Sequence, residues 1–458
     1  MGRLFGTFGV RGVVGEDLTE EVALRLGLAF GTYLGGDAEV LVGGDTRTST
    51  EELKGAVVSG LTSAGCDVVD VGTAPTPAVQ FLVEEEGFDA GVVVTASHNP
   101  PEFNGIKLLD DKGHGISAEA AEDVERLYFE GDFERASWDG VGSYVRAPEL
   151  LGKFVEAVVD YVGDFDGSGM KVVVDCANGA GCLVTPSLLS EYGVEVISVN
   201  AHPDGRFPGR EPEPSEENLR TTMEMVKGSD VDFGMAHDGD ADRLILITGD
   251  GEFVPGDYSF ALLVRWALEE GKGRQVVTPV SSSMVVKDVA EEYGGEVIWT
   301  KVGEPIVVEE LRRAEDPAIG GEENGGVIFP DFHLSRNGIL TALLICKMVA
   351  EAGSLDSLLS GLPRYFLHKT GVECPDELKP RVMERVEELL EEEEGVVDVL
   401  TVDGVKMFYE DGWVLVRPSG TEPLIRIFGE ARDEEVAVER VERWRERVER
   451  IVGELSGG

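Results

Sequence analysis

The stretch Lys171-Val172-Val173-Val174-Asp175 is a run of three valines closed by a carboxylate. So short and so β-branched a run, with no polar alternation, fits a strand buried on both faces, as in a parallel sheet. A helical pattern then stops at Tyr192-Gly193, and residues 194–199 form a second such run. A third, 232–236, enters the polar segment Asp238-Gly239-Asp240-Ala241-Asp242-Arg243. The same order of strand, helix, glycine, strand, helix, strand and polar loop occurs twice more. Upstream it has strands at 40–45, 66–71 and 91–95, a helix stop at Gly65 and a loop over 95–107. Downstream it has strands at 275–280, 296–300 and 317–321, a helix stop at Gly294 and a loop over 320–326. Each glycine stands where a helix end needs a left-handed residue.

Strands alternating with helices predict mainly parallel strands with helices on both faces. Ligands of such sheets bind beyond the carboxyl ends of the strands, where the three polar loops fall. The expected fold is α/β: three similar mixed-sheet α/β domains in tandem (1–147, 148–252 and 253–364), then a C-terminal α+β domain (365–458). The four should surround one central cleft. The last domain reads as an acidic helix over 376–394, strands at 396–400, 405–409 and 413–416 with Asp-Gly turns, and a charged helix over 434–455.

The 458 residues carry 88 Asp and Glu against 40 Lys and Arg, a formal charge of -48. That excess repels polyanions, so nucleic acid and anionic membrane surfaces are excluded as partners. With 42% apolar and 28% charged residues the chain reads as globular. Its start lacks the basic-then-apolar pattern of a leader, and the longest apolar stretch, 339–346, stops at Lys347, so a cytoplasmic protein is expected. Cys66, Cys176, Cys182, Cys346 and Cys374 form no C-x-x-C pair and read as small buried hydrophobes. Arg supplies 27 of the basic residues and Lys only 13, a surface suited to a salty cytoplasm.

Four segments carry chemistry. In Thr95-Ala96-Ser97-His98-Asn99-Pro100, a hydroxyl beside an imidazole on a turn after a strand suits a nucleophile, and also an ordinary Asn-Pro turn. Asp238, Asp240 and Asp242 alternate around Gly239 and can converge on one hard divalent cation, expected to be Mg²⁺. An EF-hand is excluded, since its sixth position holds Arg243 and its twelfth Gly249. Gly320-Gly321-Glu322-Glu323-Asn324-Gly325-Gly326 offers a carboxylate and an amide to sugar hydroxyls. Arg417-Pro418-Ser419-Gly420-Thr421-Glu422-Pro423-Leu424-Ile425-Arg426 reads as a phosphate cradle of two guanidinium groups, two hydroxyls and a glycine turn.

Taken together, the order and spacing of these segments resemble the α-D-phosphohexomutase family over essentially the whole chain. The resemblance implies a hexose 6-phosphate/hexose 1-phosphate isomerase working through a phosphoserine and a 1,6-bisphosphate, with glucosamine 6-phosphate first and mannose or glucose phosphates as alternatives. It makes Ser97 the phosphorylated residue, with Asp238, Asp240 and Asp242 holding one Mg²⁺ together with a phosphoserine oxygen. Arg11, His98, Lys107 and Arg243 would be catalytic. Glu322, Asn324, Lys301 and Gly303 would take the sugar, and Arg417, Ser419, Gly420, Thr421 and Arg426 the phosphate that is not reacting. A sugar 1,6-bisphosphate would be the activator, a small hexose phosphate the partner, and the protein a monomer or homodimer. Several relatives carry an acid/base His where this chain has Gly326, so that role passes to Lys107 or His98, with His333 a further candidate. Two other readings are a haloacid-dehalogenase-like phosphatase with Asp238 as nucleophile, where Asp242 departs from the motif, and a non-catalytic sugar-phosphate sensor.

Overall fold

A computed structural model describes residues 4–6, 9–420 and 422–456, and the chain forms two compact units. The first comprises Met1–Ser259 and Asn324–Leu358, the second Phe260–Glu323 and Leu359–Gly458.

The first unit holds two mixed sheets. In one, Glu39–Gly44 pairs in parallel with Asp67–Thr73 and Ala90–Val94, while Phe103–Leu109 runs antiparallel to Ala90–Val94 and to Val10–Val13. In the other, Lys171–Asp175 is parallel to Glu195–Val199 and Phe233–His237, and Leu244–Thr248 turns back antiparallel to Phe233–His237. Thus the first two polar segments lie between antiparallel strands, and each sheet is mixed, as expected. The residues after each turn explain this. Ile106, Leu108 and Leu109, and likewise Leu244, Ile245, Leu246 and Ile247, are buried, and an antiparallel neighbour accepts such a run without a long crossover. Lys107 is therefore a strand residue. The unit is completed by the hairpin Val327–Phe329/His333–Arg336 and the helix Gly338–Ala352, which buries the apolar stretch 339–346.

In the second unit Gln275–Pro279 is parallel to Glu296–Thr300 and Pro317–Gly321. An antiparallel sheet has the order Phe366–Glu373, Leu424–Ala431, Gly412–Pro418, Val405–Tyr409, Asp398–Leu400. Val382, Val386, Val441, Trp444 and Val448, from two covering helices, share its core with Met407, Val414, Val416, Ile425 and Ile427. The helix expected over 376–394 is α-helical only at Lys379–Glu388, with Pro380 in its first turn, and continues as a 3₁₀ turn, Leu389–Glu392. The strands Phe366–Glu373 and Leu424–Ala431 are additional to those expected.

Gly65 (φ +112°), Gly193 (φ +85°) and Gly294 (φ +77°) are left-handed, as their helix ends require. Among the described residues all five cysteines are free thiols, and no helix is long and apolar enough to cross a membrane.

Candidate active site

Ser97 ends the strand-to-turn connection of the first sheet, and its backbone is left-handed, with φ +52°. A serine stays in that region only where surrounding contacts impose it. Here the Thr95 hydroxyl accepts from Ser97 N at 2.8 Å. Arg47, 2% exposed, donates to the carbonyls of Ser97 (2.9 Å), Asn99 (2.6 Å), Pro100 (2.6 Å) and Phe103 (2.8 Å), and to Asp45 Oδ2 at 3.0 Å. One guanidinium thus fixes the whole turn.

The Ser97 hydroxyl donates to Asp238 Oδ2 at 2.9 Å and lies 3.3 Å from His98 Nδ1. Close approach of the two turns requires Gly239, since a Cβ there would come within 2.5 Å of the Ser97 carbonyl oxygen. Asp238, Asp240 and Asp242 are all buried, with ligand oxygens within 4.8 Å of one another. Burial, then the charges of Asp242 and Asp240, push Asp238 well above the usual carboxylate range. Burial acts the same way on Asp240, but the Lys107 ammonium (3.1 Å) and Thr76 hydroxyl (2.6 Å) on its Oδ2 outweigh it and hold it below that range. Asp240 Oδ1 and Asp242 Oδ1 are buried without a hydrogen-bond partner among the described residues. Three clustered carboxylates with two unsatisfied oxygens fit a hard divalent cation such as Mg²⁺.

Cations ring this cluster. Arg243 bonds both oxygens of Glu213 (3.1 and 3.2 Å) and donates to His98 Nδ1 at 2.9 Å. Burial and the charges of Arg243, Arg11 and Arg336 push His98 down to about 2, so its imidazole stays neutral. Arg11 donates to Asn99 Oδ1 at 2.5 Å. Arg336 donates to Asp242 Oδ2 at 2.5 Å. His237, buried beside the triad, bonds the Arg243 carbonyl and Thr185 hydroxyl, each at 2.9 Å, and burial pushes it down to about 4.

Of the residues singled out in the sequence, Ser97, His98, Lys107, Asp238, Asp240, Asp242 and Arg243 come together in the first unit, with Arg11 bound to the same turn. Asn324 belongs to that unit and accepts from Gly326 N at 3.0 Å. His333 lies elsewhere in it, stacked on His114 with ring centroids 5.3 Å apart. The second unit carries the remainder. Glu322 is buried and Lys301 exposed, and Gly303, with φ +133°, precedes the helix Glu304–Arg313. Arg417 pairs with Asp403 (2.9 Å), which also accepts from Val302 N (3.2 Å). Arg426 pairs with Glu422 at 2.6 Å. Ser419 is buried and Gly420 exposed, while Thr421 lies outside the described residues.

Four residues escaped the sequence reading. Arg47, Arg336 and Thr76 lie in no recognisable motif. Lys379, which donates to the carbonyls of Ser419 (2.7 Å) and Glu422 (2.6 Å), sits inside what reads as a highly acidic amphipathic helix. Arg336 alone had a usable signal, as a rare basic residue next to the helix start Asn337-Gly338.

Paired α/β sheets presenting a hydroxyl to a buried carboxylate triad have the groups that metal-assisted phosphoryl transfer uses. Profiles described as phosphoglucomutase/phosphomannomutase α/β/α domains I, II and III match residues 2–135, 152–251 and 255–366, and the C-terminal domain matches 372–449. The chain belongs to the phosphoglucomutase/phosphomannomutase family and is an isomerase. A probable phosphoglucosamine mutase of Methanopyrus kandleri is 50% identical over 456 residues, covering 99% of this chain and all of the relative. A phosphoglucomutase/phosphomannomutase of Thermococcus kodakarensis is 48% identical, covering 96% and 97%. The crystal structure of a phosphoglucomutase/phosphomannomutase family protein from Burkholderia thailandensis superposes with a TM-score of 0.86 at 30% identity, covering 97% and 96%.

Proposed function

We propose that the protein interconverts hexose 6-phosphate and hexose 1-phosphate through a phosphoserine at Ser97 and a 1,6-bisphosphate, with glucosamine 6-phosphate as its principal substrate. The observation that carries this reading is the Ser97 hydroxyl 2.9 Å from Asp238, at the edge of a triad suited to a divalent cation. The probable phosphoglucosamine mutase similar over its full length supports the choice of sugar.

In the first half-reaction a sugar hydroxyl oxygen attacks the phosphorus of phosphoserine 97. The new O–P bond forms as the P–Oγ bond breaks, and Ser97 Oγ keeps the electron pair and regains the proton that the hydroxyl gives up. After the bisphosphate turns over, Ser97 Oγ attacks the other phosphorus and the same exchange runs in reverse. Asp238, Asp240 and Asp242 would hold Mg²⁺, which when bound offsets charge on the transferring phosphoryl oxygens. Arg11 and Arg243 supply fixed positive charge, so the work is positioning and electrostatic stabilisation. His98 is held neutral with its Nδ1 occupied by Arg243, which removes it as the base and leaves Lys107 to carry the proton. Glu322, Asn324, Lys301 and Gly303 would bind sugar hydroxyls, and Arg417, Ser419, Gly420 and Arg426 the idle phosphate.

The test supplies glucosamine 6-phosphate, mannose 1-phosphate or glucose 1-phosphate with Mg²⁺ and a sugar 1,6-bisphosphate. Turnover of the glucosamine sugar is expected, with none in Ser97→Ala. Phosphate on the enzyme should resist hydroxylamine, as a serine ester does. A hydroxylamine-labile phosphate, or turnover surviving Ser97→Ala, refutes the phosphoserine route. Turnover confined to the other two sugars refutes the choice of substrate.

A further inference from the structure

Gly326 is glycine for a reason its backbone does not supply. Its neighbour Gly325 is left-handed at φ +86°, but Gly326 is absent from the positive-φ residues, so any L-residue could adopt its conformation. What excludes a side chain is space. A Cβ at 326 would lie 2.2 Å from Cδ and 3.1 Å from Cγ of Arg336, with Asn324 Oδ1 also at 3.1 Å. Real carbons never approach to the first of these distances, so the aliphatic stem of Arg336 fills the volume that a side chain at 326 would enter.

That stem cannot easily give way, because both ends of Arg336 are held. Its guanidinium donates to Asp242 Oδ2 at 2.5 Å. On the backbone side, Asn337 N donates to the Val327 carbonyl at 2.9 Å and Gly338 N to the Ala241 carbonyl at 3.2 Å. Asn337 Oδ1 accepts from Leu340 N at 3.0 Å, capping the helix Gly338–Ala352. Gly326 is fixed as well, bridged to Arg243 across a pair of chain segments. Asp242 is thereby left with one oxygen tied to Arg336 and the other, Oδ1, buried without a hydrogen-bond partner among the described residues and 3.8 Å from Arg243 Nε.

We infer that Arg336 and Gly326 are a matched pair: Arg336 is a positioning residue that ties one oxygen of Asp242 and leaves the other for a divalent cation, and Gly326 is glycine to admit it. The part this plays in turnover rests on the function proposed above; the pairing itself does not. A guanidinium stays protonated throughout the working pH range, so this corner of the site contributes a permanent charge and no exchangeable proton.

The test compares wild type, Arg336→Ala, Arg336→Lys, Gly326→Ala and the double variant Gly326→Ala/Arg336→Ala. Metal-free protein is titrated with Mn²⁺ alone, followed by its electron paramagnetic resonance signal. Loss of a residue that orients a metal ligand costs about 10- to 100-fold in affinity, and Arg336→Ala should fall in that range. Arg336→Lys should recover most of the loss. Gly326→Ala should weaken Mn²⁺ binding by itself, yet change nothing further in the Arg336→Ala background. In turnover, Arg336→Ala should regain kcat as Mg²⁺ is raised, which a misfolded site would not do. Additive losses in the double variant, or wild-type Mn²⁺ affinity in Arg336→Ala, overturn the pairing. Wild-type protein without mutase turnover refutes the proposed function and leaves the Mn²⁺ titrations to decide the pairing.

Discussion

Arg47→Lys tests the claim that a single buried guanidinium imposes the backbone of the Ser97 turn. Arg47 makes five donated hydrogen bonds, four to carbonyls of residues 97–103 and one to Asp45. Lysine keeps the charge but has three donors on one nitrogen, so at least two of those bonds are lost. At about 1.5 kcal/mol for each bond to a charged group, the loss is about 3 kcal/mol, set against a typical total stability of about 5–15 kcal/mol. Urea unfolding should show a lower midpoint with an unchanged slope, because the buried surface is the same. Amide exchange should accelerate over residues 97–103 before it does in the strands. The left-handed φ of Ser97 adds a second arm. If Arg47 holds that strain in place, Ser97→Gly, which removes a penalty of about 1 kcal/mol or more, should offset part of the Arg47→Lys loss. An unchanged midpoint, or a stability loss with undiminished protection of 97–103, would refute the reasoning.

Other outcomes follow from the same charges. Asp238→Asn should raise the melting temperature of metal-free protein, by removing one of three buried like charges, and should abolish the stabilisation by Mg²⁺, which in wild type should reach about 2.7 kcal/mol at 100 times Kd; differential scanning calorimetry with and without Mg²⁺ decides both. His237 is held down to about 4 by burial, from an ordinary value near 6.5. Its contribution is therefore complete above pH 6.5 and lost as pH falls towards 4, by up to about 3 kcal/mol, and His237→Gln should flatten urea midpoints measured across that window. Molar KCl should raise both the melting temperature and kcat/KM for a hexose phosphate; a melting temperature indifferent to KCl would remove the salt-adapted reading of the surface.

Much of the fold was legible because each repeat spells its strand, helix stop and second strand locally. Gly65, Gly193 and Gly294 mark positions where backbone conformation alone dictates the residue. The antiparallel return strands were hidden for the opposite reason. The run after Asp242 is as apolar as a buried helix segment, and only its partner Phe233–His237 decides what it becomes. Candidate site residues were found where chemistry is concentrated in one short segment, as in Asp238 to Arg243. Arg47 and Arg336 act from 50 and 94 residues away on Ser97 and Asp242; nothing local distinguishes Arg47 from a solvated arginine, and Arg336 is marked only by its place beside a helix start. Lys379 is hidden in the same way, by an acidic surround that suggests exposure.

The salt response follows from how the charge is distributed. Around the triad, Asp238, Asp240, Asp242 and Glu213 are matched by Arg11, Lys107, Arg243 and Arg336, so the site is near neutrality inside a chain of net charge -48. A divalent cation and a phosphoryl dianion add equal and opposite charge, so the balance survives only if both are present. A phosphorylated sugar, however, must first approach the surplus of carboxylates. At 0.1 M salt the screening length is about 10 Å, and at 1 M about 3 Å. Added KCl therefore cancels the long-range repulsion while leaving the close, buried pairs almost unscreened. Enzymes that steer anions through exposed cations lose kcat/KM with salt. Here the exposed cations, Arg11 and Lys301 among them, stand against an excess of 48 negative charges. A fall in kcat/KM with KCl would mean that cations near the site outweigh the rest of the surface, and that the substrate approaches along a path the net charge does not govern.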